Sequence, residues 1–282
     1  YSFEPNFTPD VNIILAEHNK FLFYQHYEGY KIAYNVWECS QYSEEFFNCL
    51  LKFDELWVPT EWQKEITIKQ GYLEDKIFVI PEGVDRNIFK PSSITKKKQK
   101  FQFLIVGRWE YRKSTLELIK AFLNAFPNNP NVELLLNVEN PYSADNMNST
   151  EERLKYYGLE DDRIKILKFL DKKEYIKLLQ NVNVFLSCSR AEGWNLPLIE
   201  ALACGTPSIY SKCTGQLEFT KGLGLGVNIL GKEQIPIKEK NDWGFIGEFD
   251  KIDYGDLVEK IKDSYNNYNV WKQWHLHHSK EI

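Results

Sequence analysis

The chain has 282 residues, which is room for about two average domains. Its residues are 43% hydrophobic and 27% charged, as in ordinary globular proteins, and no apolar run approaches the ~20 residues of a membrane span. Acidic residues number 40 against 35 basic ones, a net charge of −5, so no overall positive field would attract nucleic acid, and we exclude it as a partner.

The cysteines and the amino-terminal sequence bear on the cellular compartment. The five cysteines are odd in number, widely spaced and mostly inside apolar runs, which predicts reduced, buried thiols and a cytoplasmic location. The opening "YSFEPNFTPD" lacks the basic and apolar regions of a secretory signal. It also lacks an initiator Met, and we expect the chain to have lost its natural beginning.

Residues 1–95 predict a thin α/β domain. Two segments have helical patterns, "SEEFFNCLLKF" and "TEWQKEITIKQG". Four have strand patterns: "VNIIL", "YKIAYNV", "ELWVP" and "KIFVIP". The next segment, "PEGVDRNIFKPSSITKKKQK", has linker composition, with prolines, a glycine and a solvated lysine run at positions 96–98 and 100. We therefore place the domain boundary near residue 95.

Residues 96–253 predict a second, more regular domain. Six strand patterns occur: "FQFLIVG", "VELLLNV", "RIKIL", "VNVFLS", "PSIYS" and "GLGVNI". Four helical patterns lie between them: "STLELIKAFLNAF", "TEERLKYYG", "KKEYIKLLQN" and "LPLIEALACG". This alternation predicts a doubly wound parallel sheet covered on both faces.

The tail over residues 254–282 predicts one or two helices. Trp271 and Trp274 are the expected anchors, and we expect the tail to pack back toward the first domain.

The segment "GRWEYRKST" follows the first strand of the second domain. Ligands of an open parallel sheet bind beyond the carboxyl ends of its strands, where this segment lies. Gly107 permits close approach of backbone, and Arg108 and Lys113 bring two cations that would suit a phosphate group.

The segment "RAEGWNLPLIE" follows another strand and begins a helix. Pro197 suits the first helical position, and Gly193 allows a tight turn just before it. The helix start would then present backbone N–H groups near Asn195 and Leu196 to an anion.

Two glutamates flank this expected anion site. Glu192 lies before the helix, at the rim of the cleft, where it could accept hydrogen bonds from sugar hydroxyls. Glu200 leans back toward the helix start and could accept two hydroxyls of a ribose. A single glutamate near a helix start is otherwise explained by a favourable contact with the helix dipole.

Other patterns have plain structural interpretations. Gly205 ends a helix, and Gly222, Gly224 and Gly226 of "KGLGLGV" are turn residues. The histidines show no metal-ligand spacing, so we predict no metal site. Three of them lie near the carboxyl terminus and are expected to be exposed: His275, His277 and His278.

Two long motifs resemble one enzyme family. The chain resembles the carboxyl-terminal domain of retaining glycosyltransferases of family four at two motifs. These are "GRWEYRKSTLELIKAF" and, further along the chain, "SCSRAEGWNLPLIEALACGTPSI". Departures are Ser114 for the usual glycine, and Trp194 and Asn195 for the usual Phe and Gly. "DELWVPTEWQKEITIKQGYLEDKIFVIPEGVDRNIFKP" resembles the end of the family's first domain. The resemblance implies the GT-B architecture, α/β with two Rossmann-like domains and parallel sheets, the first incomplete here.

The resemblance also implies residue roles and a mechanism. Arg108 and Lys113 would bind the donor diphosphate, together with Gly107, Gly193 and the backbone of residues 194–196. Glu200 would hold the ribose of the donor, and Glu192 would hold the transferred sugar. Contacts to the nucleotide base of the donor are expected near residues 168–170. Members of the family are metal-independent and need no cofactor beyond the nucleotide-diphosphate sugar, which is the donor substrate. Retention of configuration in the family is explained by front-face attack, which requires no enzyme nucleophile.

The amino-terminal half departs from the family. No glycine-rich loop occurs in residues 1–40, and a histidine common near the reacting carbon is replaced by Trp37 and Glu38. Glu38 would contact the donor sugar or acceptor, but a buried aromatic beside a surface acid explains the pair equally well.

The sequence therefore predicts a retaining, hexosyltransferase-type enzyme for cell-surface polymers. It would move a sugar from a nucleotide-sugar donor to a glycan, lipid-linked or protein acceptor, in the cytoplasm, with peripheral membrane association as an option. The alternative is a binding module that holds the nucleotide sugar without transferring it. An NAD(P)-dependent oxidoreductase is disfavoured, since no G-x-G-x-x-G follows a strand with an acid ~20 residues on. Neither the donor's base and sugar nor the oligomeric state follows from the sequence.

Overall fold

The computed structural model describes residues 9–16, 18–92, 99–141, 147–223, 225–237, 244 and 246–282. They form two compact units. The first comprises the residues up to Glu82 with residues 192–194 and 234–248, and the second comprises Gly83–Ala191, Asn195–Glu233 and Phe249–Ile282. The predicted boundary near residue 95, the lysines at 96–98 and Gly224 lie outside the described residues.

The first unit contains a parallel sheet of four strands in sequential order. The strands are β1 (Val11–Leu15), β2 (Tyr30–Tyr34), β3 (Glu55–Val58) and β4 (Ile77–Val79). The helices are α1 (His18–Tyr24), α2 (Glu44–Leu50) and α3 (Glu61–Lys69), with a 3-10 turn at Glu74–Lys76. The strands, α2 and α3 confirm the sequence prediction.

Helix α1 was not predicted, because its segment is rich in aromatic residues and shows little helical periodicity. The fully buried Phe21 explains why the segment is helical here. Its ring packs on Phe46 and Phe53, with centroids 5.8 and 5.7 Å away. Burial of apolar surface therefore outweighs the modest helix propensity of the segment.

The second unit contains a six-stranded parallel sheet with the order β10-β9-β8-β5-β6-β7. Its strands are β5 (Phe101–Val106), β6 (Val132–Asn137), β7 (Ile164–Ile166), β8 (Val184–Ser187), β9 (Ser208–Ser211) and β10 (Leu225–Val227). Its first helices are α4 (Thr115–Ala125), α5 (Thr150–Tyr156), α6 (Lys172–Asn181), α7 (Leu196–Ala203) and α8 (Leu217–Thr220). The parallel α/β architecture predicted from the alternation is confirmed.

Both faces of this sheet are buried. Phe103 and Ile105 of β5 belong to one apolar cluster with α4, whereas Leu104 between them packs in a second cluster with α7. Alternate residues of a strand point to opposite faces, so continuous apolar strands need helices on both sides.

The order of the strands positions the candidate site. The chain runs from β5 to β6 on one side, whereas β8 pairs with β5 on the other. Strand order therefore reverses between β5 and β8, and ligands of such sheets bind at the carboxyl edge at such a reversal. The loops that follow these two strands are the two that the sequence motifs singled out.

Helix α7 begins and ends as predicted, with Pro197 in its first turn. At its end the Thr206 N–H bonds the Ala201 carbonyl, and the Gly205 N–H bonds the Leu202 carbonyl at 2.8 Å. Gly205 has φ +67°. This pattern is the Schellman termination of a helix.

The remaining elements are β11 (Ile229–Gln234), β12 (Glu248–Ile252), α9 (Tyr254–Asn266) and α10 (Tyr268–His278), with a 3-10 turn at Thr214–Gln216. The two strands pair with each other and were not predicted. Gly222 lies in a turn, as expected, whereas Gly226 lies within β10.

Helices α9 and α10 form the two-helix tail and belong to the second unit. The expected packing of this tail toward the first domain stays a prediction. Trp271 packs partly buried on the core and donates to Asp263 at 2.9 Å, whereas Trp274 is 44% exposed. His275, expected to be exposed, is buried. The anchors of α10 are therefore Trp271 and His275.

Among the described residues, none of the helices combines the length and apolarity needed to span a bilayer.

Candidate functional site

The loop between β5 and α4 carries the two predicted cations. Gly107 has φ +138°, a conformation that favours glycine, and Lys113 runs alongside it, with its Cδ and Cε 3.9 Å from where a Cβ would lie. Arg108 is exposed and Lys113 half-buried. The preference for glycine here comes from the backbone angle, since an added Cβ would make only ordinary contacts with Lys113.

Two buried arginines, which the sequence did not single out, join this loop to the one after β8. The Arg112 Nη1 donates to the Ala191 carbonyl at 2.9 Å, and the Arg190 N–H donates to the Arg112 carbonyl at 2.7 Å. Both residues are 6% exposed. The chain segments that carry Lys113 and lead to Glu192 are thereby held against each other at the β5–β8 reversal.

Arg190 is paired with two carboxylates. Its Nη2 lies 2.9 Å from Glu117 of α4, and its Nε lies 2.5 Å from Glu233 of β11. Burial by itself would lower the pKa of the Arg190 guanidinium, but the two carboxylates outweigh burial and raise it. A buried charge is stable only when paired in this way, so the pairing keeps Arg190 ionised inside the unit.

The start of α7 is formed by a buried asparagine. Asn195 caps the helix with φ +84° and donates to Ser187 of β8 at 3.0 Å and to Gln216 at 2.7 Å. Leu196 behind it is 48% exposed. Asparagine tolerates the left-handed conformation better than most residues, which explains its presence at a position where the family pattern has glycine.

Glu192, Gly193 and Trp194 belong to the first unit. A Cβ on Gly193 would lie 2.4 Å from Cγ1 of Val36 and 2.9 Å from the Trp37 carbonyl oxygen, so only glycine fits. Glu192, which we expected at the rim of the cleft, is 2% exposed. Trp194 is also buried.

Glu200 lies in the second turn of α7 and has a hydroxyl partner. The Tyr175 hydroxyl of α6 donates to its carboxylate at 2.7 Å. Burial raises the pKa of Glu200, and the Tyr175 hydrogen bond opposes that shift; the pKa of Tyr175 is itself raised, by burial and by the carboxylate. Tyr175 was missed because its helical position gave no motif signal.

Trp37 lies in the core of the first unit. Its ring stacks on Tyr42 with centroids 5.0 Å apart, its backbone N–H donates to Gln63 at 3.0 Å and its Nε1 donates to the Gln41 carbonyl at 2.9 Å. Glu38 beside it is half-buried. These contacts account for Trp37 by packing.

Residues 86–229 match the family described as glycosyl transferases group 1. The chain belongs to this family.

Curated relatives match part of this chain. The mannosylfructose-phosphate synthase of Agrobacterium fabrum is 31% identical over 53% of this chain and 36% of its own. The UDP-Gal:alpha-D-GlcNAc-diphosphoundecaprenol alpha-1,3-galactosyltransferase of Escherichia coli is 32% identical over 54% of this chain and 41% of its own. The chain thus spans less than half the length of these relatives.

Solved structures share the fold of this chain. Anabaena Alr3699/HepE, in complex with UDP and glucose, has a TM-score of 0.71 at 16% identity, covering 96% of this chain and 73% of its own. The pneumococcal O-GlcNAc transferase GtfA, in complex with UDP and GlcNAc, has a TM-score of 0.67 at 18% identity, covering 96% and 53%. The fold is of the GT-B class, as the motifs predicted.

The segment expected near the base of a bound nucleotide follows β7. The Lys168 carbonyl accepts a hydrogen bond from Asn137 of β6 at 3.2 Å, which fixes the backbone there. Phe169 is 94% exposed. An exposed aromatic ring at the carboxyl edge of the sheet is available for stacking.

Within the described part of the chain, one group of three side chains brings potential metal ligands together. Atoms of His277, His278 and Glu281 lie within 4.8 Å of one another near the end of α10. The sequence prediction found no metal spacing among the histidines. The group is distant in sequence from every residue assigned to the donor.

Proposed function

We propose that the second unit binds the nucleotide diphosphate of a sugar donor and that the whole protein transfers the sugar, with retention and without a metal ion. The observation that carries the proposal is the junction of two loops at the β5–β8 reversal, in a chain of the group 1 family. One loop bears Arg108 and Lys113, and the other leads into the start of α7.

The proposed diphosphate site combines side-chain cations with a helix start. Arg108 and Lys113 would neutralise the phosphates, and Gly107, which has no side chain, would let the backbone approach them. The Leu196 N–H precedes the first hydrogen bond of α7, which the Leu198 N–H makes to the Asn195 carbonyl, and it lies at the positive end of the helix dipole. Negative charge grows on the departing nucleotide during glycosyl transfer, so these groups would stabilise the transition state.

Two carboxylates would orient the sugars of the donor. Glu200, held by Tyr175, is proposed to accept ribose hydroxyls, and Glu192 to accept hydroxyls of the transferred sugar. Glu192 is shielded from water, where a hydrogen bond to a charged group is stronger than in solution. The proposed retention proceeds by front-face attack, with a donor phosphate oxygen taking the acceptor proton, and it requires no enzyme nucleophile.

The acceptor is proposed to be a glycan, a lipid-linked sugar or a protein. The Escherichia coli relative is named for a diphosphoundecaprenol-linked acceptor and the pneumococcal neighbour for O-GlcNAc transfer, which supports this range. All five cysteines are free and buried, which supports the cytoplasm as compartment, with peripheral membrane contact if the acceptor is lipid-linked.

A thermal-shift panel tests donor binding. UDP, GDP, ADP and their sugar forms are each added to the chain. A nucleotide bound only by the folded state raises Tm; at a concentration of 100 times Kd it increases the free energy of unfolding by about 2.7 kcal/mol. We expect one base series to raise Tm, and Lys113→Ala and Glu200→Ala to abolish or strongly reduce the rise. Lys120→Ala, an exposed lysine on α4, is the matched control and should respond like wild type.

Retention of wild-type nucleotide affinity in both Lys113→Ala and Glu200→Ala would contradict the assigned site. Binding of a sugar nucleotide with neither hydrolysis nor transfer would favour the alternative, a module that binds the donor without transferring its sugar.

A further inference from the structure

The buried side chain of Arg190 contacts three separate parts of the second unit. Its Nη1 donates to the Tyr111 carbonyl at 2.8 Å and to the Ser114 Oγ at 2.6 Å, both in the loop after β5. Its Nη2 and Nε reach Glu117 of α4 and Glu233 of β11. All three guanidinium nitrogens are therefore used at once.

The ring of Tyr111 adds a further contact to the same guanidinium. The Arg190 Cζ lies 4.0 Å from the Tyr111 ring centroid, and the Tyr111 hydroxyl donates to Glu233 at 3.1 Å. A planar guanidinium can stack on an aromatic face while its edge donates hydrogen bonds, which an ammonium cannot match. The geometry is therefore specific to arginine.

The main chain of Arg190 is bonded on both sides as well. Its N–H donates to the Arg112 carbonyl at 2.7 Å, and its carbonyl accepts from the Asp250 N–H at 3.0 Å. The residue cannot shift without breaking bonds to β12 and to the loop after β5. Arg190 thus couples the shape of residues 107–114 to the segment that leads to α7.

Ser114 shows why that loop needs an external support. It has φ +54° and ψ +30°, the left-handed conformation, at a position where the family pattern has glycine. A residue with a Cβ is strained there by roughly 1–2 kcal/mol. The hydrogen bond from Arg190 to its Oγ compensates for this strain and holds the turn next to Lys113.

We propose that Arg190 is a positioning residue that holds the loop 107–114, and with it Arg108 and Lys113, in the conformation that binds the donor diphosphate. The inference rests on the proposed function and extends it to a side chain that does not touch the donor. It explains why a fully paired arginine is buried two residues before Glu192.

The test compares variants of Arg190 with a control variant of a second arginine, Arg163, which lies beside the edge strand β7. Arg163 precedes β7 and pairs with Asp161 at 2.7 Å, so Arg163→Met also removes a partly buried ion pair in the second unit. Arg190→Met, Arg190→Lys, Ser114→Ala and Arg163→Met are titrated with UDP, GDP and ADP by calorimetry. Hydrogen exchange of the peptide covering residues 107–114 is measured in each variant without nucleotide.

We expect Arg190→Met to weaken binding of the preferred nucleotide at least tenfold and Arg190→Lys to weaken it less, because lysine keeps the charge but not the fork of donors. Ser114→Ala should also weaken binding. In all three, exchange in residues 107–114 should accelerate. Arg163→Met should bind within twofold of wild type, although it loses stability.

Wild-type nucleotide affinity in both Arg190→Lys and Ser114→Ala would overturn the inference while leaving the proposed function intact. These two variants decide the question even if Arg190→Met does not fold. An equal loss of affinity in Arg163→Met would also overturn it, since the effect would then follow global stability. No binding of any of the three nucleotides by wild type or Arg163→Met would contradict the proposed function, and the inference would fall with it.

Discussion

Ser114 occupies a backbone conformation that glycine adopts more easily, and its hydroxyl accepts a hydrogen bond from Arg190. Two opposing effects of similar size, backbone strain and a hydrogen bond to a charged donor, therefore meet at one residue. Substitutions that remove one or both effects separate them.

We expect Ser114→Gly to leave the free energy of unfolding within about 1 kcal/mol of wild type, because relief of strain offsets the lost hydrogen bond. Ser114→Ala keeps the strain and loses the bond, and should cost about 1–2 kcal/mol. Urea denaturation with an unchanged m-value measures both. If the alanine variant were as stable as the glycine variant, the strain at residue 114 would be negligible.

Gly193 is constrained by contact, since a Cβ there would overlap Val36 and the Trp37 carbonyl. We expect Gly193→Ala to destabilise the chain by about 1–3 kcal/mol through overpacking. Gly83→Ala, where nothing lies within 4 Å of the added Cβ, is the control and should be neutral. Adding Val36→Ala should recover only part of the loss, because the backbone carbonyl remains; full recovery would show that the carbonyl contact does not matter.

At the scale of elements, helix α10 is held by a buried neutral histidine. The His275 Nδ1–H donates to the Trp271 carbonyl at 2.8 Å, and its Nε2 accepts from the Ser208 N–H of β9 at 3.3 Å. Burial lowers the pKa of His275 to about 4. Protonation of Nε2 would turn an acceptor into a donor facing another donor.

Acid should therefore weaken the attachment of α10. In the unfolded chain His275 titrates near 6.5, so between pH 6.5 and about 4 the unfolded state binds more protons and the free energy of unfolding falls as pH falls. The contribution of His275 is fully present above pH 6.5, and we expect about 1–3 kcal/mol to be lost by pH 4.

Urea denaturation at several pH values checks this expectation. His275→Gln should flatten the pH dependence between 6.5 and 4, while His277→Gln, on the exposed side of the same helix, should leave it as in wild type. An unchanged slope in His275→Gln would show that other groups dominate the acid response.

Over the whole chain, acidic and basic residues nearly cancel, but basic residues are concentrated in one loop. The net charge is only −5, yet the candidate diphosphate loop concentrates Arg108, Arg112 and Lys113 within six residues, two of them proposed to meet the phosphates. Fixed cations at this loop would do what a divalent metal does for phosphates elsewhere.

We therefore expect nucleotide binding to be insensitive to metal removal. Calorimetry with the preferred nucleotide in EDTA and in Mg²⁺ should give Kd values within about twofold of each other, since the proposed neutralisation is by side chains. His277→Ala with His278→Ala serves as control for any effect of the potential ligands near the end of α10. A tenfold loss of affinity in EDTA, present also in that double variant, would contradict metal independence.

Local patterns in the sequence predicted the strands of both parallel sheets and most of the helices, but not α1, β11 or β12. Apolar residues at helical or alternating spacing predicted β5, α4 and α7 close to their observed bounds, because periodicity depends only on neighbouring residues. Pro197 and Gly205 marked the two ends of α7 for the same reason. The family motifs added which loops carry the candidate site.

Which polar residues are buried, and what they pair with, depends on contacts between segments far apart in the chain. Arg190 lies 76 positions from Ser114, His275 lies 67 from Ser208, and Tyr175 lies 25 from Glu200, so no local pattern joins them. Their meeting depends on β5 pairing with β8 and on α10 packing beside β9. Side-chain burial and long-range pairing follow from strand order, which is set by the packing of the whole sheet and its helices.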